Sequence, residues 1–148
     1  MRALFDVNAL IALFDPDHVH HELAHGWWKT NESSGWASCP LSENGFARIL
    51  SQPKYPNAIP IEDAIGRLSR SKGQGGHAFW ADDVSLSDGS VFHVEHILGH
   101  RRVTDVYLLA LAVRNSGRLV TFDRGVPISA IEGAEKRHLV VLGDPESG

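Results

Sequence analysis

RALFDVNALIAL, residues 2–13, is the stretch on which the fold class turns. Ala3 to Phe5 is a short apolar run of strand type that stops on Asp6. From Asn8 onward the chain becomes alanine-containing and apolar, which suits a buried helix. A strand that leads directly into a helix is the first step of an α/β fold. Asp6 stands at that step, and a carboxylate at the end of what reads as a central strand is costly to bury without a partner.

The same step recurs along the chain. Asp17 is placed to cap a second helix that runs to about Asn31, with Val19, Leu23 and Trp27 on its apolar face. GWASCP (35–40) reads as a strand closed by Pro40, and LSENGFARIL (41–50) as the next helix, with Glu43 in its first turn. After the proline-rich loop SQPKYPNAIP, the segment IEDAIGRLSR (61–70) shows helical apolar spacing at Ile61, Ile65 and Leu68. SKGQGG ends it, HAFWAD (77–82) suits a strand, and SDGSVFHVEHIL (87–98) a short helix or turn. Thr104 is placed to cap the helix DVYLLALAVRN, and Gly117 to stop it. RLVTFD (118–123) is then a strand, VPISAIEGAEK a short helix and HLVVLG a last strand. The alternation predicts an α/β sandwich with a mostly parallel sheet, as one domain over residues 1–143 with a short tail at 144–148.

The chain has 148 residues, enough to bury a core without disulfide or metal staples. Its single cysteine, Cys39, has no partner for an internal disulfide, no secretory leader is legible, and no apolar run approaches the ~18 residues of a membrane span. A cytoplasmic protein with no membrane segment is the expectation. With 14 basic against 18 acidic residues the net charge is −4, which argues against broad adhesion to nucleic acid through a basic face.

HELAH (21–25) has the His-Glu-x-x-His form of a zinc peptidase helix, in which His21 and His25 bind the metal and Glu22 is the base. On a helix these histidines fall opposite Val19, Leu23 and Trp27, and so point towards solvent. The usual downstream glycine and histidine are replaced by Trp28 and Asn31. A solvated histidine-rich face is the simpler reading.

Four acids make a stronger pattern. Asp6 and Asp123 end predicted strands, and Glu43 and Asp105 open predicted helices. In a parallel sheet these positions share the carboxyl-terminal edge, where open α/β folds build their sites. Gathering four carboxylates raises their pKa values unless a cation lies among them, and all-oxygen ligands select Mg²⁺ or Mn²⁺ over zinc. Two such ions would bring the formal charge from −4 to about zero, so that an acidic chain can accept a polyanion. Each acid also has an ordinary role open to it. Glu43 and Asp105 suit helix dipoles, and Asp123 suits a turn with Arg124 and Gly125.

LFDVNALIAL, CPLSENGFARIL, GHRRVTDVYLLALA and GRLVTFDRG resemble, in order and spacing, the four acidic motifs of the PIN-domain family, and within it the VapC-type ribonuclease toxins. The resemblance covers nearly the whole chain. It implies a compact three-layer α/β/α sandwich, a catalytic, metal-binding quartet of Asp6, Glu43, Asp105 and Asp123, an Mg²⁺ or Mn²⁺ cofactor, and endoribonuclease activity. It also implies a cognate antitoxin and a homodimer. Asn8, Thr104 and Thr121 are candidates to steady the acids, though caps or strand positions are their simpler roles. Arg101, Arg102 and Arg124 flank the edge and are candidate grips for RNA phosphates. Phe79 and Trp80 suit base stacking or, more simply, the core. Competing readings are the zinc peptidase, a small phosphatase or phosphotransfer domain, a dinucleotide-binding domain through GQGGHA, and a non-catalytic RNA-binding module of the same fold.

Overall fold

The computed structural model describes residues 1–144; the predicted tail lies outside them except for Asp144. Five short strands form one parallel sheet: β1 (Ala3–Phe5), β2 (Trp36–Ser38), β3 (His77–Phe79), β4 (Arg118–Thr121) and β5 (Leu139–Val141). Their order is β3-β2-β1-β4-β5. Chain connections leave β1 to one side and return on the other, so the topological switch point lies between β1 and β4, where a crevice opens at the carboxyl ends of the strands.

Side-chain alternation along each strand divides the core in two. Ala3, Phe5, Trp36, Val120 and Val140 face one side; Leu4, Ala37 and Leu119 face the other. Four helices cover the first face: α1 (Val7–Phe14), α2 (His21–Asn31), α3 (Pro40–Leu50) and α4 (Ile61–Lys72). The second is covered by α5 (Val103–Arg114), with Trp80, Phe92, Val126 and Ile131. The predicted three-layer arrangement is therefore present. Because α5 buries Val106 and Leu108 through Ala112 in succession, it lies under protein nearly all round, and its register places Asp105 firmly.

Gly45 lets α1 and α3 approach closely, since a Cβ there would stand 2.6 Å from Val7 Cγ2. That contact holds Asp6, at the head of α1, beside the first turn of α3.

Several local expectations give way. Helix α2 starts at His21, because Asp15 Oδ1 takes the Asp17 amide (3.0 Å) in a turn that follows α1, and Asp17 caps nothing in α2. The buried side of α2 is Ala24, whose small side chain permits close approach, with Trp27 and Trp28 set edge-on against Phe5. Val19 is 85% exposed and Leu23 42%. In α4, Ala64 and Leu68 are buried while Ile61 and Ile65 stay exposed on the flank. Thr104 is an exposed residue inside α5; a 3-10 turn at His100–Arg102 runs into the helix and moves its start upstream. VPISAIEGAEK forms only a 3-10 turn at Ile128–Ala130, bounded by Pro127 and by a bridge from Ile131 to Phe92. Among the described residues no helix is long and apolar enough to cross a membrane.

Candidate active site

Asp6 follows β1 directly and is 7% exposed. Its Oδ1 accepts from the Ala9 amide at 2.7 Å, so Asp6 itself caps α1. Asn8, the expected cap, is instead an exposed residue in the first turn of the helix. The other oxygen of Asp6 accepts from the hydroxyl of Thr121, the fully buried last residue of β4. Thr121 Oγ1 in turn accepts from the Asp123 amide at 3.0 Å. One hydroxyl thus ties together the ends of the two strands that flank the crevice.

Asp123 is half-exposed. One of its oxygens accepts from the Gly125 amide at 2.7 Å, and the other is held by the guanidinium of Arg102. Arg102 lies across Gly125 to reach it: a Cβ at residue 125 would overlap the Arg102 guanidinium. The Gly125 amide and then Arg102 draw the Asp123 carboxyl below its ordinary range, despite partial burial. Asp105, in the first turn of α5, is close enough to share a hydrogen bond with Asp123. Burial, followed by the charges of Asp6 and Asp123, pushes the Asp105 carboxyl up to about 6. Burial also raises Asp6, with the Asp123 charge adding to it and the Thr121 and Ala9 hydrogen bonds opposing it. Three of the four predicted acids therefore meet, and two of them carry an unfavourable charge.

Glu43 is held differently. Its Oε2 accepts from Ser38 Oγ at 2.5 Å and from Lys72 Nζ at 2.7 Å. His77 Nε2 is 2.8 Å from the same Ser38 oxygen. Since Ser38 has one hydrogen and gives it to the carboxylate, His77 Nε2 must carry the proton in that contact. Burial and the nearby Lys72 charge lower the His77 pKa, which suits a neutral ring. Ser38, Lys72 and His77 were not candidates from the sequence, because they come within reach of Glu43 only when β2, β3 and α4 assemble. Arg101 and Arg124 are exposed beside the site.

Among the described residues, no group of three or more His, Cys, Asp or Glu side chains stands in an arrangement that could hold a metal ion. Two of the four acids are engaged in ion pairs, Asp123 with Arg102 and Glu43 with Lys72. The donor chemistry still fits a hard cation. Mg²⁺ binds through one or two carboxylates and keeps its remaining positions for water and phosphate. Asp6 and Asp105 supply two such carboxylates, and both have pKa values raised by burial first and by neighbouring carboxylates second, a penalty on the charged form that a cation relieves.

Of the histidines of HELAH, His21 is tied to the fold and His25 is exposed. His21 Nδ1 is 2.7 Å from the Ala12 carbonyl oxygen, and its ring stacks on His25 at 5.3 Å. His25 lines a cleft of about 660 Å³ with Phe14, Trp28, Trp36 and Gly76. That cleft sits where β2 and β3 begin, at the other edge of the sheet from the aspartates.

No family model matches the chain. It is similar to three curated proteins of Mycobacterium tuberculosis strain H37Rv. It is 47% identical to Ribonuclease VapC44 over 142 residues, which is 96% of this chain and 100% of that protein. Identity to Ribonuclease VapC38 is 51% over 125 residues, 84% of this chain and 86% of the relative. Identity to Ribonuclease VapC39 is 46% over 134 residues, 90% and 96% of the two chains.

Proposed function

This chain belongs to the VapC family of PIN-domain ribonucleases, and from that membership we propose that it hydrolyses RNA phosphodiester bonds as the toxin of a toxin-antitoxin pair. The observation that supports the site assignment is the meeting of Asp6, Asp105 and Asp123 at the β1/β4 switch point, with Asp6 and Asp105 both raised in pKa. Such perturbed carboxylates in a crevice are the usual mark of a reaction centre.

Asp6 and Asp105 would hold the cation, with Asp123 beside them and Glu43 able to join on release from Lys72. When bound, Mg²⁺ or Mn²⁺ supplies activation of water and neutralisation of charge on the phosphodiester. The chain's own groups supply position. Thr121 fixes the Asp6 carboxylate through one oxygen and the Ala9 amide fixes the other, so its orientation needs no rearrangement as substrate arrives. The Gly125 amide and Arg102 together keep Asp123 ionised, and Arg102 with Arg101 and Arg124 offers positive charge to the phosphates on either side. His77, Ser38 and Lys72 hold Glu43 pointing along the same edge.

An antitoxin that covers the acids, a pairing of two copies, and action in the cytoplasm, where Cys39 stays reduced, belong to the same reading. The test is cleavage of total RNA after brief expression, with ends mapped and the Asp6→Asn protein as control. Cleavage that stops with chelator and returns with Mg²⁺ or Mn²⁺ is expected. Undiminished cleavage by a folded Asp6→Asn, Asp105→Asn double variant would refute it. His21→Ala is expected to leave cleavage intact, which separates this reading from the zinc peptidase.

A further inference from the structure

We propose that Phe79 is a stacking platform for an unpaired nucleobase of the RNA, beside the scissile phosphate; the assignment rests on the ribonuclease reading above. Phe79 is 53% exposed and is the only exposed Phe, Tyr or Trp among the described residues. Other aromatic rings near this edge are covered. Phe5 is buried, Phe122 lies under His20 with ring centroids 5.0 Å apart, and Trp80 is packed against Gly117.

Sheet register places the ring on the reaction edge. Phe79 pairs with Ser38, and Phe5 with Val120, as Ala37 pairs with Leu4 one residue earlier. Phe79, Ser38, Phe5 and Val120 therefore form one row across the sheet, and Asp6 and Thr121 are the next residues after the last two. Two strand spacings separate Phe79 from Phe5, roughly 10 Å, which suits a base flanking the bond to be cut. Lys72 Nζ lies 4.9 Å from the centroid of the Phe79 ring while it also pairs with Glu43. This cation steadies the ring and links the platform to the acidic site. An exposed aromatic beside a positive charge on an RNA-cleaving edge matches what single-stranded bases require, a π-face with a nearby cation.

The experiment uses an oligoribonucleotide that spans a cleavage site mapped in total RNA, with 2-aminopurine placed in turn at each position flanking the cut. In Phe79→Ala, KM is expected to rise about 5- to 150-fold with kcat little changed. Fluorescence quenching at one flanking position, measured in the Asp105→Asn background, is expected to be lost. Phe79→Tyr is expected to restore both, which a merely structural role would not require, and unchanged thermal melting shows that the variants fold. Phe79→Ala with the wild-type KM and the same quenching overturns the assignment. So does a variant that loses only its hold on an antitoxin peptide. A wild-type protein that leaves every RNA intact instead overturns the ribonuclease reading itself.

Discussion

Replacing Asp105 by Asn should make this protein more stable and at the same time inactive. The carboxyl of Asp105 titrates near 6 against an ordinary 3.8. At 1.36 kcal/mol per pH unit that gap corresponds to roughly 3 kcal/mol against the ionised form. Asp105 is only about half-buried, so solvent screening reduces this to about 1–2 kcal/mol. Below pH ~4 the folded and unfolded chains both hold the proton, and the group has no effect on stability. Between 4 and 6 the unfolded chain releases its proton while the folded chain keeps it, so stability falls as pH rises. Above about 6 the whole penalty is present. Asn is isosteric and uncharged and removes the penalty. In EDTA at pH 7.5 the Asp105→Asn protein should therefore gain about 1–2 kcal/mol by urea denaturation, or roughly 2–8 °C in Tm. At pH 4 the gain should vanish. Excess Mn²⁺ should raise the Tm of the wild type at pH 7.5 and move the variant much less, because a cation stabilises only the state that binds it. A gain of equal size at pH 4 and pH 7.5 in the Asp105→Asn protein, or a loss at pH 7.5, would refute the account of crowded, desolvated carboxylates.

Thr121→Val keeps the shape of the side chain but leaves Asp6 and the Asp123 amide each short of a partner. A loss of about 1–3 kcal/mol in urea denaturation is expected, together with reduced cleavage at unchanged metal concentration. Gly45→Ala puts a methyl 2.6 Å from Val7 Cγ2 and should cost about 1–3 kcal/mol; adding Val7→Ala should recover part of it, a coupling that a double-mutant cycle measures. His21→Ala removes the contact with the Ala12 carbonyl and should cost roughly 1 kcal/mol while cleavage of RNA continues at the wild-type rate.

What the residues alone determined were those features set by local pattern. The apolar runs that end in Asp6 and precede Asp123, and the helices that open near Glu43 and Asp105, are legible because strand and helix periods are written in neighbouring residues. Once the strands are taken as parallel, that pattern already assigns the acids to one edge. Tertiary structure decided the rest. Glu43 is held by Ser38 and Lys72, with His77 on the far side of the Ser38 hydroxyl, residues 5, 29 and 34 positions away from it, and no local pattern encodes such a pairing. Asp6 rather than Asn8 caps α1, and Thr121 became the joint of the site because β1 and β4, more than 100 residues apart, lie side by side. Phe79 and Trp80 are equally apolar on the page; an edge strand buries the second under Gly117 and leaves the first open. Burial, charge proximity and long-range hydrogen bonds depend on distances through space, which the order of residues along the chain constrains only after folding.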